Sequence, residues 1–231
     1  PRVALIRALT DESVDSMLDR LGHALQEASE QQGQRLAWAD GEVTPPGHSS
    51  AQLEADLLGA IDRDEIEVLF QPQFNLEDDS LTGAEALARW NHPELGRIGA
   101  GALFSIAERA DHIGPLSRHI AGKALAAASE WPGDLRLSIN VTPADLAFGS
   151  YVRQMLDLIR ESGFPLRRLT LEVTEQALIS DIAMAADMMA EFSAQGIRIA
   201  LDDFGAGFCN FRYLKVLPMH YLKLDRSMIE G

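Results

Sequence analysis

LRLSINV (135–141), LTLEVTE (169–175) and IRIALDDF (197–204) are the stretches that decide the fold. Each is an apolar run of strand length, and each delivers polar residues near its end: Asn140, Glu172 and the Asp202-Asp203 pair. Their centres are apolar on both faces, which predicts parallel strands covered by helices. Helices are expected between them, over 150–163, where Val152, Met155, Leu156 and Ile159 make one apolar stripe, and over 180–195.

The pattern extends in both directions. Upstream, EVLFQPQF (67–74) and LTGAEALARW (81–90) predict a hairpin across the NLEDDS turn, followed by helices near 101–110 and 114–130. Downstream come a short helix near 209–216 and the strand YLKLDR (221–226). AQLEADLLGAI (51–61) reads as a helix, and GEVTPPGHSS (41–50) as a linker because Pro, Gly and Ser dominate it. Before it, VALIRAL (3–9) and RLAWA (35–39) predict short strands around an amphipathic helix over 11–32, with Val14, Met17, Leu18, Leu21 and Leu25 at helical spacing. That short α+β fragment is too small for a domain alone and is expected to be the tail of a preceding one.

Regular βα alternation is compatible with a barrel or an open doubly wound sheet. Spacing favours the barrel. Polar residues at strand ends recur at 85, 140, 172, 202 and 223, intervals of about two units, one, one and a short one, for a barrel unit of roughly 31 residues. An open sheet gathers its site at one switch point, from few strands. Five successive strands feeding one rim predict a TIM-like (β/α)8 barrel.

Composition bounds the chemistry. The formal net charge is −15, from 35 acidic and 20 basic residues, which disfavours a nucleic-acid polymer as partner because polymer phosphates are held by clustered Lys and Arg. A small phosphate ligand remains compatible where bound cations neutralise the contact. No apolar run is long enough to cross a bilayer, and the opening PRVALIRALTDES does not read as a secretory signal. Cys209 is the only cysteine, so no intrachain disulfide can form, and a cytoplasmic setting is expected. The chain opens on proline without a methionine, so the true N-terminus is expected elsewhere.

Taken singly, the polar strand residues have two readings each. Glu85, within TGAEALARW, is a site acid or a strand charge paired with Arg89. Asn140 is a ligand or the cap of a helix starting near Pro143. Glu172 sits between Leu171 and Val173, where a carboxylate is costly unless paired or metal-bound. Glu175 is a salt-bridge residue or shapes the loop beyond. The adjacent acids Asp202 and Asp203 repel each other unless a cation holds them. Lys223, between Leu222 and Leu224, is an exposed edge lysine or faces the acids and orients a water. Together the carboxylates and the amide oxygen form an all-oxygen set suited to Mg²⁺ or Mn²⁺, whereas zinc would want His or Cys. The six histidines show no HxxxH or HxH grouping, and His92 and His119 read as structural or surface residues. Clustered carboxylates with paired cations suit in-line phosphoryl chemistry. No GxxxxGK[ST] loop occurs, and DFGAG lacks the other kinase signatures.

Eight pieces in series carry a family resemblance: FQP (70–72), EALARW (85–90), HPELGRI (92–98), FSIAERA (104–110), INVT (139–142), LEVTE (171–175), IALDDFGAG (199–207) and LKLDRSMI (222–229). Residues 51–231 thereby resemble the EAL domain of bacterial cyclic di-GMP phosphodiesterases. The resemblance implies a β/α barrel whose first strand is reversed, and hydrolysis of cyclic di-GMP to linear pGpG. It implies Glu85, Asn140, Glu172 and Asp202 as metal ligands, with Asp203 helping to hold a second metal and Lys223 positioning the attacking water. Gln71, Leu87, Arg89 and Asp225 match positions that touch the dinucleotide, and Glu175 matches an acid that organises the loop after Asp203. It also implies a homodimer through the barrel.

The chain departs from the family at Ala100, where Pro is usual, and at Ala206-Gly207-Phe208-Cys209-Asn210, where Thr-Gly-Tyr-Ser-Ser is usual. It ends before the family's last two strands, which bear a further glutamate, so the chain is expected to be a piece of a longer one. Residues 1–40 resemble the later part of a GGDEF (diguanylate cyclase) domain without its signature. Three functions follow as expectations: a phosphodiesterase, favoured because every ligand position is filled, a non-catalytic receptor for cyclic di-GMP, and a metal-binding barrel acting on another phosphodiester.

Overall fold

The computed structural model describes residues 3–6, 21, 36–39, 50–147, 149–174, 176–178, 182–205, 217–225 and 228. The chain forms two compact units, Pro1–Asp56 and Leu57–Gly231. In the first, β1 (Val3–Ile6) pairs in parallel with β2 (Leu36–Ala39). The expected helix over 11–32 lies outside the described residues apart from Leu21, which is helical. Helix α1 (Ser50–Ala60) follows.

Within the second unit the first strands form the expected hairpin, β3 (Ile66–Phe74) antiparallel to β4 (Leu81–His92). Its turn is closed by backbone bonds between Asn75 and Ser80 and from Asp79 to Asn75, with Asp79 in the left-handed region at φ 55°. Pro72, which cannot donate to a ladder, sits in β3, the outermost strand of the sheet path. A third strand, β5 (Gly96–Ile98), folds back on the end of β4. Helices α2 (Ala100–Arg109) and α3 (Ile113–Ser129) then lead to β6 (Arg136–Val141). After it come α4 (Pro143–Ala147), α5 (Tyr151–Ser162), β7 (Leu169–Thr174), α6 (Ile182–Ala194), β8 (Arg198–Phe204) and β9 (Tyr221–Leu224). The short helix expected near 209–216 lies outside the described residues.

Strand order is β3-β4-β6-β7-β8-β9, with every pairing after the hairpin parallel. The order simply follows the sequence, without the reversal that defines a doubly wound sheet. Successive right-handed crossovers then lay all helices on one side and leave the other side as a barrel interior.

Side-chain alternation separates these two faces. Leu137, Ile139 and Val141, Leu169, Leu171 and Val173, and Ile197, Ile199 and Leu201 face the helices and are buried with Leu125, Met155, Ile159, Met189 and Phe192. Each such fully buried side chain contributes about 1.5–3 kcal/mol. The stripe on α5 works as expected, with Val152, Met155 and Ile159 buried and Gly163 closing the helix at φ 69°. The opposite face differs from the expectation of apolar strands on both sides. It carries Glu85, Ser138, Asn140, Thr170, Glu172 and Asp202, of which Ser138, Thr170 and Glu172 are buried. Among the described residues no helix is long and apolar enough to cross a membrane.

Candidate functional site

Register determines which polar residues meet. Glu85 lies level with Ser138, Asn140 with Glu172, and Glu172 with Ala200, so Asp202 projects one pleat further along β8. On β9, Leu222 pairs with Leu201, which turns Lys223 to the interior beside Asp202. The side chains converge there. The Lys223 ammonium donates to Glu85 Oε2 at 3.0 Å, Glu172 Oε2 at 2.5 Å and Asp202 Oδ2 at 2.7 Å. Asn140 Nδ2 donates to Glu85 Oε1 at 2.8 Å, so its carbonyl oxygen is the atom left for a ligand. Asn140 does not cap the following helix. Thr142 does, in a reciprocal pair in which Asp145 Oδ2 accepts from Thr142 N and Oγ1 and Asp145 N donates to Thr142 Oγ1.

The electrostatics follow from three acids around one lysine. Burial pushes the Glu172 carboxyl up, the Glu85 charge pushes it further, and Lys223 with the Ser138 hydroxyl opposes both. Burial works to lower Lys223, but Glu172, Asp202 and Glu85 outweigh it and hold the lysine above its ordinary value. One carboxylate oxygen from each of Glu85, Glu172 and Asp202 lies within 4.8 Å of the others, close enough to share a metal ion. All the donors are oxygen, as a hard divalent cation prefers.

Asp203 sits at the mouth of this group. It occupies the left-handed region at φ 55°, where β8 shifts register against β9, and its N–H donates to Asp202 Oδ1 at 2.9 Å. Burial raises its carboxyl, and the charges of Asp202 and Asp225 add to the shift. Gln71 lies exposed on β3 opposite Glu85. Leu87 and Arg89 continue beyond Glu85 towards the strand ends, and the Arg89 guanidinium donates to the Ala88 carbonyl. Asp225 follows β9, held by its N–H on Phe204 O. Glu175 and the loop Ala206–Asn210 lie outside the described residues. His92 is buried and structural, its Nδ1 accepting the N–H groups of Glu94 and Leu95.

Two residues beneath the acids escaped the sequence reading. Ser138 is buried two residues before Asn140 on the same face of β6. Gln73 Nε2 reaches Ser138 Oγ at 3.5 Å. Period-two alternation back from Asn140 was the signal for Ser138.

The family model described as the EAL domain matches residues 54–231. The chain belongs to the EAL domain family. Its fold is accordingly the TIM-like barrel of EAL domains, with the reversed first strand supplied by β3. The chain is 31% identical over 227 residues to a cyclic di-GMP phosphodiesterase of Pseudomonas aeruginosa, a match covering 95% of this chain and 38% of that one. Among solved structures, PaMucR phosphodiesterase in a c-di-GMP complex aligns with TM-score 0.73 and 30% identity, over 77% of this chain and 74% of the other. The EAL enzyme Bd1971 in its cAMP- and cyclic-di-GMP-bound form aligns with TM-score 0.73 and 26% identity, over 95% of this chain and 59% of the other. The chain spans 27%, 32% and 38% of the length of three curated relatives it matches.

Proposed function

We propose that this EAL domain is a divalent-metal phosphodiesterase that hydrolyses cyclic di-GMP to linear pGpG. The observation that carries the reading is the meeting of Glu85, Glu172 and Asp202 from three strands within 4.8 Å, with Asn140 alongside. Glu85, Asn140, Glu172 and Asp202 would hold Mg²⁺ or Mn²⁺, and the neighbouring Asp203 would share in a second ion. When bound, such cations supply charge neutralisation at the phosphodiester and its leaving oxygen.

The rest of the task falls to the chain's own residues. Lys223, kept protonated by its three acids, would position the attacking water. Gln71, Leu87, Arg89 and Asp225 would contact the dinucleotide along the same rim. In the reaction the water oxygen bonds to phosphorus and one P–O3′ bond breaks, leaving a free 3′ hydroxyl and the 5′-phosphate of pGpG. Glu175 would organise the loop after Asp203. A homodimer through the barrel, a cytoplasmic setting, and residues 1–50 as a GGDEF-like tail and linker before a domain over 51–231 belong to the same proposal and rest on the family resemblance.

The test is incubation of the whole chain with cyclic di-GMP and Mg²⁺ or Mn²⁺, following pGpG by chromatography. We expect pGpG to form with metal and to cease with a chelator. Tight binding without turnover would make the domain a receptor instead, and hydrolysis of other phosphodiesters without binding of cyclic di-GMP would overturn the substrate.

A further inference from the structure

We propose that Met228 is a positioning residue that holds Asp203 in place for the second metal ion by covering Gly205. The inference rests on the two-ion reading above and adds to it a side chain from beyond β9.

The register of β8 against β9 breaks at the site. Leu201 pairs with Leu222 and Phe204 with Leu224, so Asp202 and Asp203 together stand opposite Lys223 alone. One residue too many on one strand is a bulge, and bulges beside active sites re-aim side chains. Plain alternation would send Asp203 to the helix side of the sheet. The bulge instead returns Phe204 to the helix-side core and leaves Asp203 exposed at the mouth. Asp203 thereby stands at φ 55°, uncommon for a residue with a side chain. Such backbone persists only where its surroundings hold it. Gly205, two residues on, stands at φ 101°, and a glycine is the residue most free to swing elsewhere.

Contacts pin this turn on both sides. Before it, the Asp203 N–H donates to Asp202 Oδ1 at 2.9 Å. After it, the Phe204 carbonyl accepts the Asp225 N–H at 3.0 Å. Met228 then lies across Gly205, where a Cβ would overlap Met228 Sδ and meet its Cγ at 2.5 Å and Cε at 3.3 Å. Met228 is directed there by its own N–H, which donates to the Asp225 carbonyl at 3.0 Å. The contacts run from Phe204 through Asp225 and Met228 back to Gly205, the next residue in sequence. At 52% exposed, Met228 rests on the glycine and is not part of the core.

Partners that orient a ligand change metal affinity by about 10–100-fold when removed. The test is calorimetric titration of the whole chain with Mn²⁺, without dinucleotide. It compares wild type, Met228→Ala, Met228→Leu, Gly205→Ala, Asp203→Asn and the double variant Met228→Ala/Asp203→Asn. Near-ultraviolet circular dichroism in chelator checks that each is folded. Wild type should bind two ions. We expect Met228→Ala to weaken the second by about 10-fold and to leave the first unchanged. Met228→Leu, which still covers the glycine, should keep most of the second-ion affinity. The double variant should match Asp203→Asn, because Met228 acts only through Asp203. Should Met228→Ala fail to fold, Gly205→Ala drives the same two groups apart, carries the test and should weaken the second ion alone. Wild-type affinity for both ions in Met228→Ala, alongside loss of the second in Asp203→Asn, would overturn the clamp and leave the two-ion site standing. So would equal weakening of both ions, a Met228→Leu that falls as far as Met228→Ala, or a double variant weaker than Asp203→Asn. Fewer than two ions in wild type, or two undisturbed ions in Asp203→Asn, would overturn the second-ion reading and the clamp with it.

Discussion

Lys223 is the residue on which the metal-free arrangement depends, because three carboxylates share its ammonium. Replacing it by Met leaves Glu172 buried against Glu85 with no cation opposite. In chelator at pH 8, Lys223→Met should lose about 1–3 kcal/mol of stability, the cost of stranding buried charged partners. The sign with pH follows from Glu172, whose folded value is already raised by burial and by Glu85. A carboxyl raised on folding destabilises the native state while it is ionised, so the variant should regain stability as pH falls from 8 towards 5. Wild-type Lys223 is raised instead, so its contribution is complete below the ordinary lysine value and lost only at strongly alkaline pH. Thermal melts across this range check both, and equal melting of variant and wild type at pH 8 would contradict the arrangement. At this scale the sequence was legible where a charge sat in an apolar run, as at Glu172, Asp202 and Lys223. Asn140 and Glu85 each had an ordinary alternative, and no pattern in the sequence signals the 2.8 Å bond that joins them. Ser138 was illegible because a small hydroxyl in an apolar strand costs little and so draws no notice.

Two elements offer sharp tests. In β4, Gly83 faces the Arg136 carbonyl, and backbone cannot swing aside as a side chain can. Gly83→Ala should therefore cost about 1–3 kcal/mol through strain in the β4–β6 pairing, read as the denaturant midpoint of unfolding. A neutral result would mean that the strands separate freely at that point. In α4, Asp145 is buried while bonding Thr142. Burial raises its carboxyl, against the pull of the Thr142 donors. Asp145→Ala should cost about 1 kcal/mol as a lost cap, whereas Asp145→Asn keeps an acceptor without a buried charge and should hold its stability at pH 7. Because the aspartate is raised on folding, lowering pH stabilises the wild type relative to Asp145→Asn, and unfolding midpoints at pH 7 and pH 4.5 would show it. Long periodic elements were readable from sequence, α5 and the β3–β4 hairpin above all. The three-residue β5 was not, being too short for its alternation to stand out, and the five-residue α4 was visible only as the helix expected to start near Pro143. The inner strand face was misread as apolar because Ser and Thr within aliphatic runs fit a strand on either face.

For the molecule as a whole, spacing and order agree. Polar strand ends at intervals of about one barrel unit predict a common rim, and sequential parallel pairing from β4 to β9 provides it. The family match over residues 54–231 then accounts for the pattern without adding residues to it. What no pattern could supply was the substrate, since hard-cation phosphoryl chemistry serves many phosphodiesters alike. The most direct measurement is the initial rate of pGpG formation from cyclic di-GMP with Mn²⁺, for the whole chain and for Glu172→Gln side by side, each verified as folded. The wild type should turn over and the variant should fall by at least about 100-fold, a ligand counting for no less than its outer partners. Equal rates would contradict the assignment of this carboxylate cluster as the catalytic metal site.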